Sequence, residues 1–405
     1  MNIIYERCCG LDVHKKTIVA CFRNGKKAEL RKFDTLTEDL KELCSWLLEN
    51  NCQMVAMEST GSYWKPIYNI LELNGIEVMV VNAQYIKNVP GRKTDVKDAE
   101  WIAQLLQHGL VKASYIPDKE QRELREIVRY RKNLVEERSR EINRLEKTLE
   151  GANIKLSSFV SSITGKSSRK LLREAMYGQV TADNIDSLIH ISMINKKDVL
   201  LKAMDGVMSD TQKRLVKAIL DHIDDMTRRI DDMSDFINQK MQDHTDEIKR
   251  LEEIPGIGKI TAETILAEIG VDMNRFPTAM HLASWAGLCP GNNQSAGKRK
   301  SSRTNHGNRY LKSMLIQAAK SAVKNKKSFF HAQYQRIVVR RGYNRATVAV
   351  AHSMIIAIYH MLKNNTVFKE LGVDYYTRFN KEQKARYYIK KLLDLGMPLP
   401  VSTAI

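Results

Sequence analysis

Four acidic side chains near the start of the chain have the types and settings to hold a metal ion. Asp12 closes an apolar run in "GLDVHKK". Glu58 closes the short apolar run "QMVAME". Asp95 and Asp98 lie three residues apart in "KTDVKDA", where a loop gives way to helical periodicity. Magnesium takes hard oxygen ligands and bridges protein carboxylates to substrate phosphates. Two such ions activate the attacking oxygen and stabilise the leaving one in phosphodiester chemistry. Each acid alone also has an ordinary reading. Asp95 could cap the helix by accepting from a first-turn N–H, and Asp98 would add favourable charge at the positive helix end.

Further along, Ser295 sits in "NNQSAGKRK", beside Gly297 and the basic run Lys298, Arg299 and Lys300. A serine hydroxyl can attack a phosphate when a neighbour activates it. His306 is close in sequence, but spacing alone forms no triad, so a plain loop serine is the competing reading. Lys298, Arg299, Lys300, Arg303 and Arg309 would suit backbone phosphates, or simply a solvated loop. The turn in "LEEIPGIGKITAETILAEIG" matches a helix-hairpin-helix. Its N–H groups at Gly256 and Gly258, with Lys259, could grip phosphates without reading bases. An ordinary glycine-capped turn is the alternative.

The acids matter only if the elements bring them together. Residues 3–13 contain an apolar run, residues 17–23 read as a second strand, and Asn24-Gly25 is a hairpin signal before a third strand over residues 26–33. Thr35-x-x-Glu38 reads as a capping box, followed by Leu40, Leu43 and Leu47 at helical spacing. Then come the "QMVAME" strand, a helix ending at Asn74-Gly75, the strand "IEVMVV" and a helix over residues 95–106. The order β-β-β-α-β-α-β-α starts with an antiparallel meander and continues with βαβ units. It fits an RNase H-like sheet, in which the first strand and the Glu58 strand can lie side by side. No Gly-rich phosphate loop is present, which argues against a doubly wound nucleotide fold.

Residues 119–150 are charged and helical, with Leu124, Ile127, Leu134, Ile142, Leu145 and Leu149 at threes, fours and sevens. A second such stretch covers residues 208–250. The two could pair with each other or with another subunit as coiled-coil arms. Residues 151–207 hold short helices and serine-rich turns, residues 309–323 and 346–362 read as helices, and the tail is basic and aromatic. Three segments are expected: an α/β domain over residues 1–115, a helical arm over 116–250, and an α-helical domain over 251–405.

Composition agrees with a polyanionic partner. Lysine and arginine number 65 against 47 acids, a net charge of +18 in 405 residues. No run of about 18 apolar residues suggests a membrane span, and the N-terminus has no secretory pattern, so a cytoplasmic protein is expected. Cys8, Cys9, Cys21, Cys44, Cys52 and Cys289 form no CxxC pair. Buried free thiols are expected rather than zinc or disulfides.

The blocks "GLDVHKK", "MESTGSYW", "KTDVKDA" and "GLCPGNNQSAGKRK" followed by "GN", in this order, resemble the DEDD-type transposases of the IS one-ten family, which includes the Piv and MooV invertases. The resemblance spans nearly the whole chain. It implies a RuvC-like domain of RNase H fold whose acidic tetrad is Asp12, Glu58, Asp95 and Asp98, holding magnesium, expected as two ions. It implies a C-terminal transposase domain whose serine matches Ser295, although the family's Ser-Gly is here Ser295-Ala296-Gly297. The implied activity is strand exchange through a covalent phosphoserine link to a cleaved DNA end. Donor and target DNA, a homodimer or homotetramer, and in some members a non-coding bridge RNA are the implied partners, in a bacterial or archaeal cell. Two rival readings are a junction nuclease that uses water, which needs the tetrad but not Ser295, and a DNA-binding scaffold that needs neither.

Overall fold

The computed structural model describes residues 2–59, 61–81, 97–291, 293–295, 298–301, 303–378 and 381–397. Within these, only the backbone is described for residues 97, 293–295, 298–301, 377–378 and 381–384. The chain forms two compact units, Met1–Asp118 and Lys119–Ile405.

The first unit is built on a five-stranded mixed sheet in the order β3-β2-β1-β4-β5. β1 (Arg7–Val13), β2 (Thr17–Asn24) and β3 (Lys27–Asp34) form the antiparallel meander, turning at Gly25, whose φ of 57° suits glycine. β4 (Met54–Glu58) and β5 (Val78–Val81) add in parallel after α1 (Thr37–Glu49) and α2 (Trp64–Leu73). α3 (Lys97–Gln107) follows. Among the described residues, this is the element order expected from the sequence.

Strand alternation assigns the two faces. Cys9, Leu11 and Val13 of β1 join Val55 and Met57 of β4 in a core with Leu40, Leu43 and Leu47 of α1 and Ile67 and Leu71 of α2. Cys8 and Ala56 point the other way, against Ile102, Leu105 and Leu106 of α3. Gly10 explains how closely that helix lies. A Cβ there would stand 2.4 Å from both the Ala103 nitrogen and the Ala99 oxygen, so only glycine lets the helix backbone touch β1.

The expected Thr35-x-x-Glu38 box is not how α1 starts. The N-cap is Leu36, whose N–H donates to the Asp39 carboxylate at 3.1 Å. The Thr35 hydroxyl instead donates to the Lys15 carbonyl at 3.1 Å. A tertiary bond to the β1–β2 loop takes the hydroxyl, so the helix begins one residue later.

In the second unit the long helices α4 (Lys119–Gly151) and α8 (Asp210–Lys240) pair with each other within the chain. They run antiparallel: Arg131 meets Ser234, Arg138 meets Thr227 at 3.2 Å, and Gly151 faces Gln212. Their far ends close on α5 (Lys166–Tyr177), α6 (Ile185–Leu188) and α7 (Lys197–Met204) around Leu145, Leu149, Leu171, Leu200, Val216 and Ile223. At the near end the seam of α4 carries buried Arg125 and Arg131 rather than leucine. That end faces buried carboxylates, described below.

The remaining body holds α9 (Thr245–Glu252), α10 (Lys259–Ile269), α11 (Ala279–Trp285), the hairpin β6 (Asn293–Ser295) and β7 (Lys298–Ser301), α12 (Arg309–Ala322), α13 (Phe329–Arg341) and α14 (Tyr343–Asn364). The short helix α15 (Tyr375–Arg378) and the longer α16 (Lys381–Asp394) follow. α14 is long and apolar enough to cross a membrane by length and composition alone. Its Ala346, Val350, Met354 and Ile358 are buried, and α11, α12 and α13 pack on it, as befits a core helix. The cysteines are free thiols, all buried except half-buried Cys52, as expected.

Candidate functional site

The parallel ladder between β1 and β4 pairs Leu11 with Met57. Asp12 and Glu58 are the next residues on each strand, so they stand side by side at the C-terminal ends. Both belong to the alternation set of Cys8, Gly10 and Ala56, which faces α3. α3 runs antiparallel to β1, since Ala99 and Ala103 flank Gly10 and the Cys8 thiol lies 3.7 Å from the Ala103 oxygen. Its first turn, with Asp98 half-buried, is therefore at the same end and on the same face as Asp12 and Glu58. Asp95 lies outside the described residues.

Asp12 has a partner that sequence reading did not name. Its Oδ2 is 3.1 Å from Nε2 of His14, with 16% of the Asp12 side chain and 61% of the His14 side chain exposed. His14 orients the carboxylate from the solvent side. Among the described residues, no three acidic, histidine or cysteine side chains converge as a ready-made metal cluster. The donor set at the strand ends is nonetheless all carboxylate oxygen, the set that suits a hard divalent cation.

Ser295 was expected in an irregular loop. It ends β6, in a hairpin whose ladder pairs Ser295 with Lys298 and Gln294 with Arg299. Below the strands the stem continues. Pro290 bridges Thr304, the Gly291 N–H donates to the Arg303 carbonyl at 2.8 Å, and the Asn305 N–H donates to the Cys289 carbonyl at 3.1 Å. The serine is thus carried at the far end of a stem rooted in the body. Lys298, Arg299 and Lys300 form the return strand.

Glycines in the α9–α10 turn have different reasons. Gly256 has φ of 87°, and a Cβ there would stand 2.3 Å from the Ala318 oxygen and 2.6 Å from the Ala322 nitrogen of α12. Packing within the body accounts for that glycine. Gly258 is exposed, has nothing within 4 Å of an added Cβ, and caps α10 without a side-chain bond. Lys259, also exposed, opens the helix.

Beside the root of the serine hairpin lies an open cleft of about 880 Å³. Arg303 and Arg309 line it, as do Lys312 of α12 and Arg341 and Arg345 at the α13–α14 corner. Its floor is apolar, formed by Leu288, Ile337, Val348 and Ala349. No aspartate or glutamate lines it among the described residues. Lys312 Nζ donates to the Thr304 hydroxyl at 2.6 Å, and burial lowers its pKa. Burial likewise lowers the pKa of His352 at the cleft wall, which favours neutral imidazole.

Two sequence profiles match the chain. One, for a DEDD-type IS110 transposase, covers residues 9–154, and one described as the transposase IS116/IS110/IS902 family covers residues 248–335. The chain belongs to the IS110 family of transposases. It is similar to the transposase for insertion sequence element IS1111A of Coxiella burnetii, 23% identical over 368 residues, which span 89% of this chain and 87% of that one. A probable family 20 transposase of Pseudomonas aeruginosa is 25% identical over 367 residues, spanning 89% and 94%. The insertion element IS110 uncharacterized 43.6 kDa protein of Streptomyces coelicolor is 32% identical over 121 residues, 29% of each chain. As an insertion-sequence transposase, the chain is an enzyme that cuts and rejoins DNA.

In this transposase the first profile contains Asp12, Glu58, Asp95 and Asp98, and the second contains Ser295 and the turn glycines. Sequence reading missed Lys312, Arg341 and Arg345, which are far apart in the chain and converge only at the cleft. It also missed the ionic root of the hairpin. Glu268 of α10 is fully buried and accepts from Arg129 Nε and Nη2, both at 2.7 Å, and from Asn308 Nδ2 at 2.5 Å. Asn308 in turn caps α12, accepting the Tyr310 and Leu311 N–H groups at 3.0 Å. Arg131 pairs with buried Glu263 at 2.7 Å. The available signal was an arginine every few residues on the apolar side of a supposed leucine seam.

Proposed function

We propose that this transposase exchanges DNA strands with two sets of groups. Asp12, Glu58, Asp95 and Asp98 would hold magnesium in an RNase H-like, RuvC-like first unit, and Ser295 would be the nucleophile. One observation carries the reading most: the β1–β4 register sets Asp12 and Glu58 side by side under the first turn of α3. Strand order β3-β2-β1-β4-β5, an antiparallel meander extended by parallel strands, supports the same fold. A donor set of carboxylates fits magnesium, and when bound the ions supply charge stabilisation at the scissile phosphate.

The chain's own residues do the rest. Ser295 Oγ attacks phosphorus and forms a new P–O bond, while the bond to the leaving sugar oxygen breaks. The serine proton passes to solvent, and the leaving oxygen takes up a proton. The phosphoserine link conserves a phosphodiester's bond energy, so rejoining needs no ATP. His14 orients Asp12, and the stem below β6 and β7 sets how far Ser295 reaches. Gly258 and Lys259 grip a backbone phosphate in a helix-hairpin-helix, the turn N–H groups being the donors, with the Gly256 turn as its frame. Lys298, Arg299, Lys300, Arg303 and Arg309 hold strand phosphates near the serine.

These roles would divide among a catalytic domain over residues 1–115, a helical arm over 116–250 and a serine-bearing domain over 251–405. The transposase works as a dimer or tetramer on donor and target DNA, in the cytoplasm of a bacterial or archaeal cell, with a bridge RNA supplying the pairing. A pair of single variants tests the chemistry. Asp12→Ala and Ser295→Ala should each abolish strand exchange and keep DNA binding. Exchange or cutting that survives Ser295→Ala would mean water is the nucleophile.

A further inference from the structure

The cleft at the hairpin root has two chemistries in one space. Its rim carries five cations, Arg303, Arg309, Lys312, Arg341 and Arg345, with no acid among the described lining residues. Its floor is apolar, with Leu288, Ile337, Val348 and Ala349. A paired duplex keeps its base faces stacked inside and offers sugars, phosphates and groove edges, so it would meet the rim and leave the floor unused. An unpaired base fits both: its faces are apolar, and its own phosphates lie to either side. At about 880 Å³ the cleft has room for a nucleotide. Polar groups for a base edge are also at the wall, namely the amide of Asn344 and the imidazole of His352.

The position of the cleft gives it a place in the reaction. Pro290 lines it and opens the stem, and Ser295 is five residues further on. An extended strand advances about 3.3 Å per residue, so five residues place the serine at most roughly 16 Å from the cleft. At the duplex rise of about 3.4 Å per nucleotide along one strand, that is at most roughly five nucleotides, and fewer along an unpaired, extended strand.

We propose that the cleft is a nucleotide subsite, which takes one unpaired base of the DNA strand within about five positions of the phosphate that Ser295 attacks. Extruding a base from a duplex costs a few kcal/mol, least where the duplex is already open. The subsite therefore favours DNA already opened near the cut. The distance rests on Ser295 being the nucleophile, whereas the occupancy of the cleft does not.

Binding measurements on the full chain separate the two. The probes are a fluorescein-labelled dT 20-mer, an abasic 20-mer with the same phosphates, a dT·dA duplex, and an rU 20-mer. The wild type should bind dT at least tenfold tighter than the abasic strand and severalfold tighter than the duplex. Ala349→Phe, which fills the floor, should bring dT down to the abasic affinity. Arg341→Ala/Arg345→Ala, at exposed positions, should flatten the salt dependence of dT binding by about 1.4 in log–log slope, two charges at about 0.7 each. A thermal melt checks that each variant folds, and the slope decides should Ala349→Phe fail to fold. Ser295→Ala should bind as the wild type does, so a failed strand-exchange assay leaves this test intact. An unchanged dT-to-abasic ratio in Ala349→Phe, an unchanged slope in the arginine variant, or losses confined to the rU strand would overturn the proposal.

Discussion

Asp12 and Glu58 stand one step beyond the Leu11–Met57 pair, at the C-terminal ends of two neighbouring parallel strands. Side by side on one sheet face, two carboxylates repel each other, and a bound cation relieves the repulsion. This relation ties the chemistry to the fold. Sheet register alone sets it, with no loop involved.

Asp12→Asn and Glu58→Gln should keep the fold and lose strand cutting. Each removes a charge that would hold the metal, worth about 3 kcal/mol of transition-state stabilisation, or roughly a hundredfold in rate. Cutting of a supercoiled plasmid carrying the element ends measures the loss, and a thermal melt checks folding. Near-wild-type cutting by both would remove the carboxylates from the mechanism.

Gly10→Ala should destabilise the first unit by about 1–3 kcal/mol, the usual cost of overpacking. Its Cβ would meet only backbone, the Ala103 nitrogen and the Ala99 oxygen at 2.4 Å, so α3 must shift and Asp98 with it. Gly258→Ala, with open space around it, should cost only the loss of a favourable N-cap residue, about 0.5 kcal/mol. Equal effects of the two changes would mean that α3 does not lie on β1 as described.

Glu268→Ala should cost about 3–5 kcal/mol, because it leaves Arg125 and Arg129 without their buried partner. It should also loosen the Asn308 cap on α12. Urea unfolding gives the first quantity. Hydrogen exchange at Tyr310 and Leu311 gives the second and should speed up in the variant.

The buried thiols predict an alkaline weakness. Burial pushes Cys8 and Cys21 up from 9.0 to about 11, and Cys52 to about 12. The unfolded chain ionises these thiols near pH 9 while the folded chain keeps them neutral. Their contribution is whole below about pH 9 and is lost as pH rises through about 11. The urea midpoint should therefore fall over that range, and less steeply in Cys8→Ala/Cys21→Ala. Parallel curves for variant and wild type would contradict this.

The first unit was legible because its signals are local. Alternation in "RCCGLDV" and "MVAME", the Asn24-Gly25 turn and the spacing of Leu40, Leu43 and Leu47 each act within a few residues. Tertiary context overrode one of them, at Thr35, whose hydroxyl bonds to Lys15 rather than capping α1. The β6–β7 hairpin escaped because its strands are polar on both faces and carry no period-two hydrophobic signal. The near end of α4 was misread as a leucine seam because Arg125 and Arg131 are buried by carboxylates more than a hundred residues away. The cleft was invisible for the same reason: Arg303, Lys312 and Arg345 come from separate elements, and only packing gathers them.

Ser295 as nucleophile is the claim on which the rest turns, and adduct trapping tests it most directly. Wild-type transposase incubated with magnesium and labelled element-end DNA, then denatured, should give a protein–DNA adduct that survives denaturant. Peptide mapping should place the label on Ser295. Ser295→Ala should bind the same DNA and give no adduct. An adduct of equal yield from Ser295→Ala, or cut DNA from the wild type with no adduct at any time, would contradict the account.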